Sequence, residues 1–493
     1  MRMTVFGTGY LGATHAACMA ELGHDVLGVD VDEAKISALM GGTVPFFEPG
    51  LEEVLRRNIN NGRLRFTTDY KEAATFASVH FIAVGTPQRK GAYAADTSYV
   101  SAVIENLAPL IEGHHTVFGK STVPVGTANQ LQELADRLLS TSSDSSLPAS
   151  SGTSSSSLSS PDSLSSSPGN PPSPASSLDL LSSSPDATSS APSIDIAWNP
   201  EFLREGHAVK DTLHPDRIVL GVGRCEQGGV EEIAREIYQD ALAAGTPFLV
   251  MDLPTAELVK VSANAFLATK ISFINAVSEI CETVGADVTK LADAIGYDER
   301  IGRKFLGAGL GFGGGCLPKD IRAFMARAGE LGADQAMTFL REVDAINMRR
   351  REKMVEMTRQ VFGGAVLGHN VTVLGAAFKP NSDDVRDSPA LNVAGSLSLG
   401  GATVTVYDPE AMPNARTLFP TLNYASSAEE ALEGAEVVLV ATEWREFQEL
   451  DPAKARTLVN PGIENPVVID GRNCLNQEAW TAAGWQVRAL GRG

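Results

Sequence analysis

The first thirty residues admit very few folds. An apolar run, Met3-Thr4-Val5-Phe6, leads directly into Gly7-Thr8-Gly9-Tyr10-Leu11-Gly12, then an Ala-rich stretch to about Leu22, then Val26-Leu27-Gly28-Val29 ending on Asp30. Strand, glycine turn, helix and strand in that order form a βαβ unit, whose strands pair in parallel through a right-handed crossover. Strand-like runs at 79–84 and 116–120, with helical text between them, continue the alternation. The fold class this predicts is α/β, built on a doubly wound parallel sheet.

Length and composition set the outer limits. The 493 residues exceed one core, and roughly one domain per 150 residues gives about three units. A formal charge of -20 argues against nucleic acid or an anionic membrane as the main partner. No run reaches the roughly 18 apolar residues of a membrane span, and the first strand begins too close to the initiator for a signal peptide. The five cysteines, Cys18, Cys225, Cys281, Cys316 and Cys474, lack CxxC spacing, so neither a metal site nor a disulfide framework is expected and a reducing cytoplasm fits.

From 140 to 193 the text turns abruptly to Ser and Pro. Such a composition cannot offset its ordering entropy and predicts disorder; about 50 flexible residues have an r.m.s. span of roughly 40 Å. A strand-like run at 194–198 then resumes, so the insert interrupts a first unit, 1–205, without ending it. Residues 256–283 read as one helix, apolar around most of its circumference, which needs partners on several sides. That helix marks a central helical unit, 206–345, and its partners lie either inside the monomer or across a dimer interface. A second alternating unit, 346–493, opens at Val371-Thr372-Val373-Leu374-Gly375, with strands at 403–407, 437–441 and 467–470. Its first turn lacks the three-glycine spacing, so dinucleotide binding is not expected there, whereas Lys379 and Arg386 suit a ligand phosphate.

Chemistry concentrates at a few points. Gly7, Gly9 and Gly12 have GxGxxG spacing between a strand and a helix, the arrangement that holds a dinucleotide pyrophosphate at a helix N-terminus. Asp30, about 20 residues on, suits the ribose hydroxyls and repels a 2'-phosphate, favouring NAD over NADP. Val84-Gly85-Thr86-Pro87 ends another strand and is either a pass close to the cofactor or a plain turn. Cys316, in Gly313-Gly314-Gly315-Cys316-Leu317-Pro318-Lys319-Asp320, is read at a helix start. There the helix dipole would favour thiolate, below the free value of about 8.5. A thiol beside a nicotinamide suits oxidation of an aldehyde to an acid through a covalent adduct. Lys260 and Asn264, at i and i+4, share a helix face and could hold an oxyanion; alternatively Lys260 reaches the surface beside Glu257. Asn199-Pro200-Glu201-Phe202-Leu203-Arg204-Glu205-Gly206 reads as a short helix, its Glu201 and Glu205 serving either a proton relay or the helix dipole. Thr122, in Lys120-Ser121-Thr122-Val123-Pro124, sits at a strand end and is either a ligand-edge residue or structural.

These motifs, with Glu48-Pro49-Gly50-Leu51, Phe378-Lys379-Pro380, Asp383-Asp384-Val385-Arg386 and Asp470-Gly471-Arg472-Asn473, occur in an order that resembles the UDP-glucose/GDP-mannose dehydrogenase family across nearly the whole chain. The resemblance implies two Rossmann-like parallel-sheet domains joined by a central helical dimerisation region. It also implies a four-electron oxidation of UDP-glucose to UDP-glucuronate with two NAD, or the same chemistry on GDP-mannose or a UDP-N-acetylhexosamine. A two-electron dehydrogenase of the hydroxyacid type is the alternative. By the same resemblance Cys316 is the nucleophile, Lys260 and Asn264 stabilise the oxyanion, Asp320 moves a proton, and Thr122 and Glu201 position water. The implied NAD contacts are Gly7, Gly9, Tyr10, Leu11, Gly12, Asp30, Lys35, Gly85, Thr86, Thr122 and Glu205. The implied substrate contacts are Glu201, Phe202, Leu203, Glu205, Lys260, Asn264, Arg300, Phe305, Leu306, Gly309, Gly313, Phe378, Lys379 and Arg472, with Arg300 reaching the neighbouring subunit. The chain departs from the family pattern in its Ser/Pro insert and at Gly315, where a serine is usual, so a looser loop is expected there.

Overall fold

The computed structural model describes residues 1–144, 191–223 and 229–492. The expected disorder of the Ser/Pro segment therefore lies almost wholly outside the described residues, as does Cys225. The ends of the segment finish the helix Thr127–Asp144 and begin a strand at Ser193.

Eight strands make the first sheet: β1 (Arg2–Phe6), β2 (Asp25–Val29), β3 (Leu64–Thr67), β4 (Val79–Ile82), β5 (His114–Gly119), β6 (Ser193–Trp198), β7 (Ile218–Val222) and β8 (Phe248–Asp252). Their order is β3-β2-β1-β4-β5-β6-β7-β8, parallel throughout except for β6 against β7. The chain reverses winding direction beside β1, between β2 and β4, and ligands of such sheets gather at the carboxyl ends there. Met3 and Val5 pack under Ala13, Ala16 and Ala17 of the helix Tyr10–Glu21, while Phe6 joins Leu27 and Ile82 on the opposite face. Covering on both faces is why these strands read as unbroken apolar runs. Strands β7 and β8 extend this sheet well past residue 205, so the division expected there falls inside the first sheet. The division expected at 345 falls inside the helix Thr338–Val361.

From the edge strand β8 the chain enters a 32-residue connecting helix, Leu253–Val284, about 48 Å long at 1.5 Å per residue. Asp252 caps its start by accepting from Thr255 N at 2.8 Å, and Gly285, at φ 72°, ends it. Its amphipathicity is inverted in part. Glu257, Lys260, Asn264, Ser272, Asn275 and Ser278 are buried against the chain's own body, whereas Phe266, Phe273 and Ile280 are exposed. The helices Leu317–Glu330 and Thr338–Val361 pack against it.

The second sheet is wholly parallel, with β9 (Asn370–Leu374), β10 (Thr403–Tyr407), β11 (Asn423–Tyr424), β12 (Val437–Val440), β13 (Val467–Asp470) and β14 (Gln486–Ala489) in the order β11-β10-β9-β12-β13-β14. It repeats the order of the first six strands. Among the described residues no helix is long and apolar enough to cross a membrane.

Candidate active site

The turn after β1 is shaped by steric demand. A Cβ on Gly12 would lie 1.7 Å from the Gly7 carbonyl oxygen, so only glycine lets the helix Tyr10–Glu21 start this close to the strand. Gly7 takes φ +89°, a conformation side chains disfavour. Gly9 differs: a Cβ there would meet nothing within 4 Å, and as N-cap it offers no side-chain hydrogen bond. An uncapped helix start facing open space is what a pyrophosphate requires, so the residues present fit a dinucleotide. Asp30 accepts from Thr8 N at 2.8 Å and pairs with Lys35 Nζ at 2.9 Å. Burial disfavours its ionised form, but these donors outweigh it and hold the carboxyl below its usual range.

The second sheet closes the equivalent place. Asp408, following β10 as Asp30 follows β2, is fully buried, and its Oδ2 accepts from Ala376 N at 2.7 Å and Ala377 N at 2.9 Å. The turn's own amides are thereby engaged internally.

The segment 199–206 is not helical, contrary to the expectation from its acidic spacing; it is an irregular strap. What holds it comes from elsewhere in the chain. The buried Glu48 carboxylate accepts from Gly206 N at 2.6 Å and Ala208 N at 2.7 Å, and the Tyr10 hydroxyl donates to the same carboxylate. Tyr10, expected at the cofactor, thus spends its hydroxyl on this latch. Extended backbone also sends the two acids apart. Glu201 Oε1 pairs with Lys260 Nζ at 2.9 Å, while Glu205 faces the second sheet's domain, within 3.3 Å of Ser382 Oγ and 3.4 Å of Arg386 Nη2. Burial and the nearby Asp384 push the Glu205 carboxyl up to about 7, against Arg386 and Lys379.

Cys316 is the N-cap of the helix Leu317–Glu330, as expected, and Asp320 lies in its first turn with its amide on the Cys316 carbonyl at 2.9 Å. The thiol departs from expectation in charge. By surface area Cys316 is exposed, yet protein crowds the volume around its sulfur. That desolvation, then Asp320, Glu205 and Glu201, push the thiol up to about 12 against the pull of Lys260. The helix terminus does not offset burial and three carboxylates, so a neutral thiol is the resting form.

Lys260 is buried in the pair with Glu201, not at the surface with Glu257, which accepts from Gly126 N and Ala128 N at 2.6 and 2.7 Å. Burial alone would depress the Lys260 ammonium, but Glu201, Cys316 and Asp320 keep it above its usual value. Asn264 Nδ2 donates to Asp320 Oδ2 at 2.6 Å, and Lys319 Nζ stands 2.7 Å from Oδ1. Lys319 also approaches Thr86 Oγ1 at 3.5 Å, and Thr86 donates to the Thr122 carbonyl at 2.7 Å. The structure thus gathers Cys316, Lys260, Asn264, Asp320 and Glu201 around one crevice, with Thr86 and Thr122 joined to it through Lys319.

Other expected contacts divide. Phe202 lies beside the site, its ring centroid 5.6 Å from Lys260 Nζ, and Leu203 N donates to Glu201 Oε2 at 2.7 Å. Phe378 packs against the glycine loop, where a Cβ on Gly314 would meet its ring at 2.9 Å and one on Gly313 the Asp387 carbonyl at 2.4 Å. Lys379 is depressed by burial, with Glu205 opposing. Phe305 adopts φ 65° and is exposed. Leu306, by contrast, is core, and Gly309 packs against the Gly471 carbonyl. Arg472 acts as a strut, donating to the carbonyls of Ala441 at 2.8 Å and Gly311 at 2.9 Å. Arg300 is fully outward and pairs with its own neighbour Asp298 at 2.6 Å. The Gly315 loop is not loose: a Cβ there would lie 2.3 Å from the Arg386 guanidinium carbon, and Asp384 holds both Arg386 and Gly315 N. Glu48 and Lys319 are not expected as site-builders from local pattern, although both stand in quoted motifs.

Models of three domains match this chain. The NAD binding domain of the UDP-glucose/GDP-mannose dehydrogenase family matches residues 1–154 and 171–242, its central domain 254–349, and its UDP binding domain 372–477. The chain belongs to the UDP-glucose/GDP-mannose dehydrogenase family. Membership makes it an NAD-dependent oxidoreductase with a separate UDP-binding domain. It is 38% identical over 492 residues to UDP-glucose 6-dehydrogenase of Rhizobium meliloti (strain 1021), covering all of both chains. It is 37% identical to UDP-glucose 6-dehydrogenase TuaD of Bacillus subtilis (strain 168), covering all of this chain and 93% of that one. A solved UDP-glucose dehydrogenase from the archaeon Pyrobaculum islandicum superposes with a TM-score of 0.80 at 34% identity, over 100% of this chain and 98% of that one. The first-domain match, reaching residue 242, agrees with a first sheet that runs beyond residue 205.

Proposed function

We propose that the chain oxidises UDP-glucose to UDP-glucuronate in two steps through a thiohemiacetal and then a thioester on Cys316. The observation that carries this reading is a thiol at a helix start, in a crevice between two parallel-sheet domains, facing a buried lysine already paired with a carboxylate. Gly7, Gly9 and Gly12, with Asp30, would hold NAD, which when bound would supply the hydride acceptor for each oxidation. The Cys316 sulfur adds to the aldehyde carbon as its proton leaves. The Lys260 ammonium and the Asn264 amide stabilise the oxygen that becomes negative, an effect worth roughly 10²–10³ in rate per donor. Asp320, buried between Asn264 and Lys319, exchanges protons with that oxygen. In the last step Glu201 takes a proton from a water held by Thr122, and that water cleaves the thioester. Phe378, Lys379, the Phe305 loop and Glu205 are assigned to the sugar-nucleotide side of the crevice.

The choice of sugar rests on the substrates named for the relatives at 37–38% identity. Mixing the protein with excess NAD and limiting UDP-glucose is expected to yield two NADH per sugar. One NADH with free aldehyde would remove the covalent mechanism, and turnover of a UDP-N-acetylhexosamine alone would move the reading to that sugar.

We further assign a homodimer in the cytoplasm, with the connecting helix at its centre. Support comes from Phe266, Phe273 and Ile280, exposed at 66%, 54% and 63% and spaced by seven residues along one stripe. Burying such a side chain contributes about 2 kcal/mol per copy. Phe273→Glu is expected to shift the protein to monomer at micromolar concentration by light scattering. A dimer of unchanged affinity would place the interface on another face.

A further inference from the structure

Glu201 has a second neighbourhood beyond Lys260. It lines a cavity of about 60 Å3 together with Lys120, Asn199, His15, Tyr238 and Asp216. One water needs only about 10–15 Å3 of such space and two to four polar partners. The lining supplies these partners. Lys120 is buried, and its ammonium contacts Asn199 Oδ1 at 2.9 Å and the Asn199 carbonyl at 3.5 Å. The Tyr238 hydroxyl donates to the same Oδ1 at 2.6 Å, and Asn199 Nδ2 donates to the Val219 carbonyl at 2.7 Å, so the amide is locked. An ammonium has three donors, which leaves one beyond those two contacts. His15 is buried and its Nε2 has no hydrogen-bond partner. Burial holds that imidazole well below its usual pKa, hence neutral. An unpartnered ring nitrogen, a spare N–H and a carboxylate around one cavity are a set that water satisfies.

We propose that this cavity stores the water that feeds hydrolysis of the Cys316 thioester, with Lys120 as the positioning residue that orients the water chain toward Glu201, from which it supplies the reacting position beside Thr122. The inference rests on the thioester reading above. In the step, water oxygen bonds to the acyl carbon and the C–S bond breaks with its electron pair on sulfur. One water proton passes through Glu201 and ends on that sulfur; the other leaves the product carboxyl along the stored water to bulk solvent. Burial lowers the Lys120 ammonium to about 8, with Glu201 opposing, so it is charged at neutral pH and able to exchange a proton with that water.

The test uses the full-length protein and two variants, Lys120→Met and His15→Phe, rapidly mixed with NAD and UDP-glucose. Both are expected to release the first two NADH per site at close to the wild-type rate and then to turn over at least about tenfold more slowly, with a covalent adduct accumulating on Cys316 by intact mass. A structural defect would slow the NADH burst and the steady state together, and that result would overturn the proposal. Steady-state rates within threefold of wild type would also overturn it. If Lys120→Met does not fold, His15→Phe, which is close in size and sits beside the Phe81 ring, decides alone. Wild-type protein that forms neither a second NADH nor an adduct would refute the thioester reading itself, a result distinct from variants that merely hydrolyse normally.

Discussion

Cys316→Ser is expected to lower kcat by at least about 10³-fold, the scale on which loss of a nucleophile registers, while NAD affinity stays within about twofold. The two effects separate because the cofactor cradle is built by β1 and the helix Tyr10–Glu21, whereas Cys316 belongs to the helix Leu317–Glu330. Serine keeps the N-cap, so the helix start is preserved. It loses the chemistry twice. A hydroxyl is harder to deprotonate than a thiol, and burial, then Asp320, Glu205 and Glu201, already pushes the thiol up to about 12. Any ester formed would also expel a poorer leaving group than sulfur, so an acyl adduct would persist on Ser at this position. Mass spectrometry of the variant after one turnover checks this, and titration of NAD by fluorescence checks the cradle. Turnover at the wild-type rate would remove the thiol from the mechanism.

The raised thiol also bears on what was legible in the sequence. Where the constraint is steric and local, the residues record it: Gly12 must be glycine because the Gly7 carbonyl occupies the space of its Cβ, and Cys316 was read at a helix start from the glycines before it and Pro318 after it. Where the deciding partners are distant in sequence, the local pattern misleads. Helix and strap give the same text at 199–206, and the choice is made by Glu48, some 158 positions away, taking the Gly206 amide. The thiol's charge state likewise depends first on burial, then on Asp320 and on Glu205 and Glu201 of the strap, and a helix-dipole argument contains neither the burial nor the strap. Arg472 is a ligand contact only by the family resemblance, and no local pattern shows that its guanidinium donates to the backbone carbonyls of Gly311 and Ala441. Strands β7 and β8 escaped because each is a short apolar run whose partner in the sheet lies some 30 residues off. Gly315 follows the same logic. In this chain the Arg386 guanidinium occupies the space a Cβ on Gly315 would take.

Lys260→Met is expected to have two effects of different origin, and a second substitution separates them. The Lys260–Glu201 pair spans 2.9 Å with side chains only 8% and 14% exposed. Removing the ammonium leaves a buried carboxylate uncompensated, which costs about 3 kcal/mol. It also removes the charge that stabilises the oxyanion, lowering kcat roughly 10²–10³-fold. Adding Glu201→Gln to Lys260→Met discharges the stranded acid, so stability by denaturant midpoint is expected to recover most of its loss. Activity is not expected to recover, because the double variant has neither the oxyanion partner nor the group that takes the water's proton. Glu201→Gln alone leaves Lys260 and Asn264 facing Cys316, so it should still release two NADH in a first turnover and fail afterwards. A double variant that regains turnover along with stability would mean that Lys260 serves only to neutralise Glu201, and the oxyanion would then have to be held by Asn264 alone.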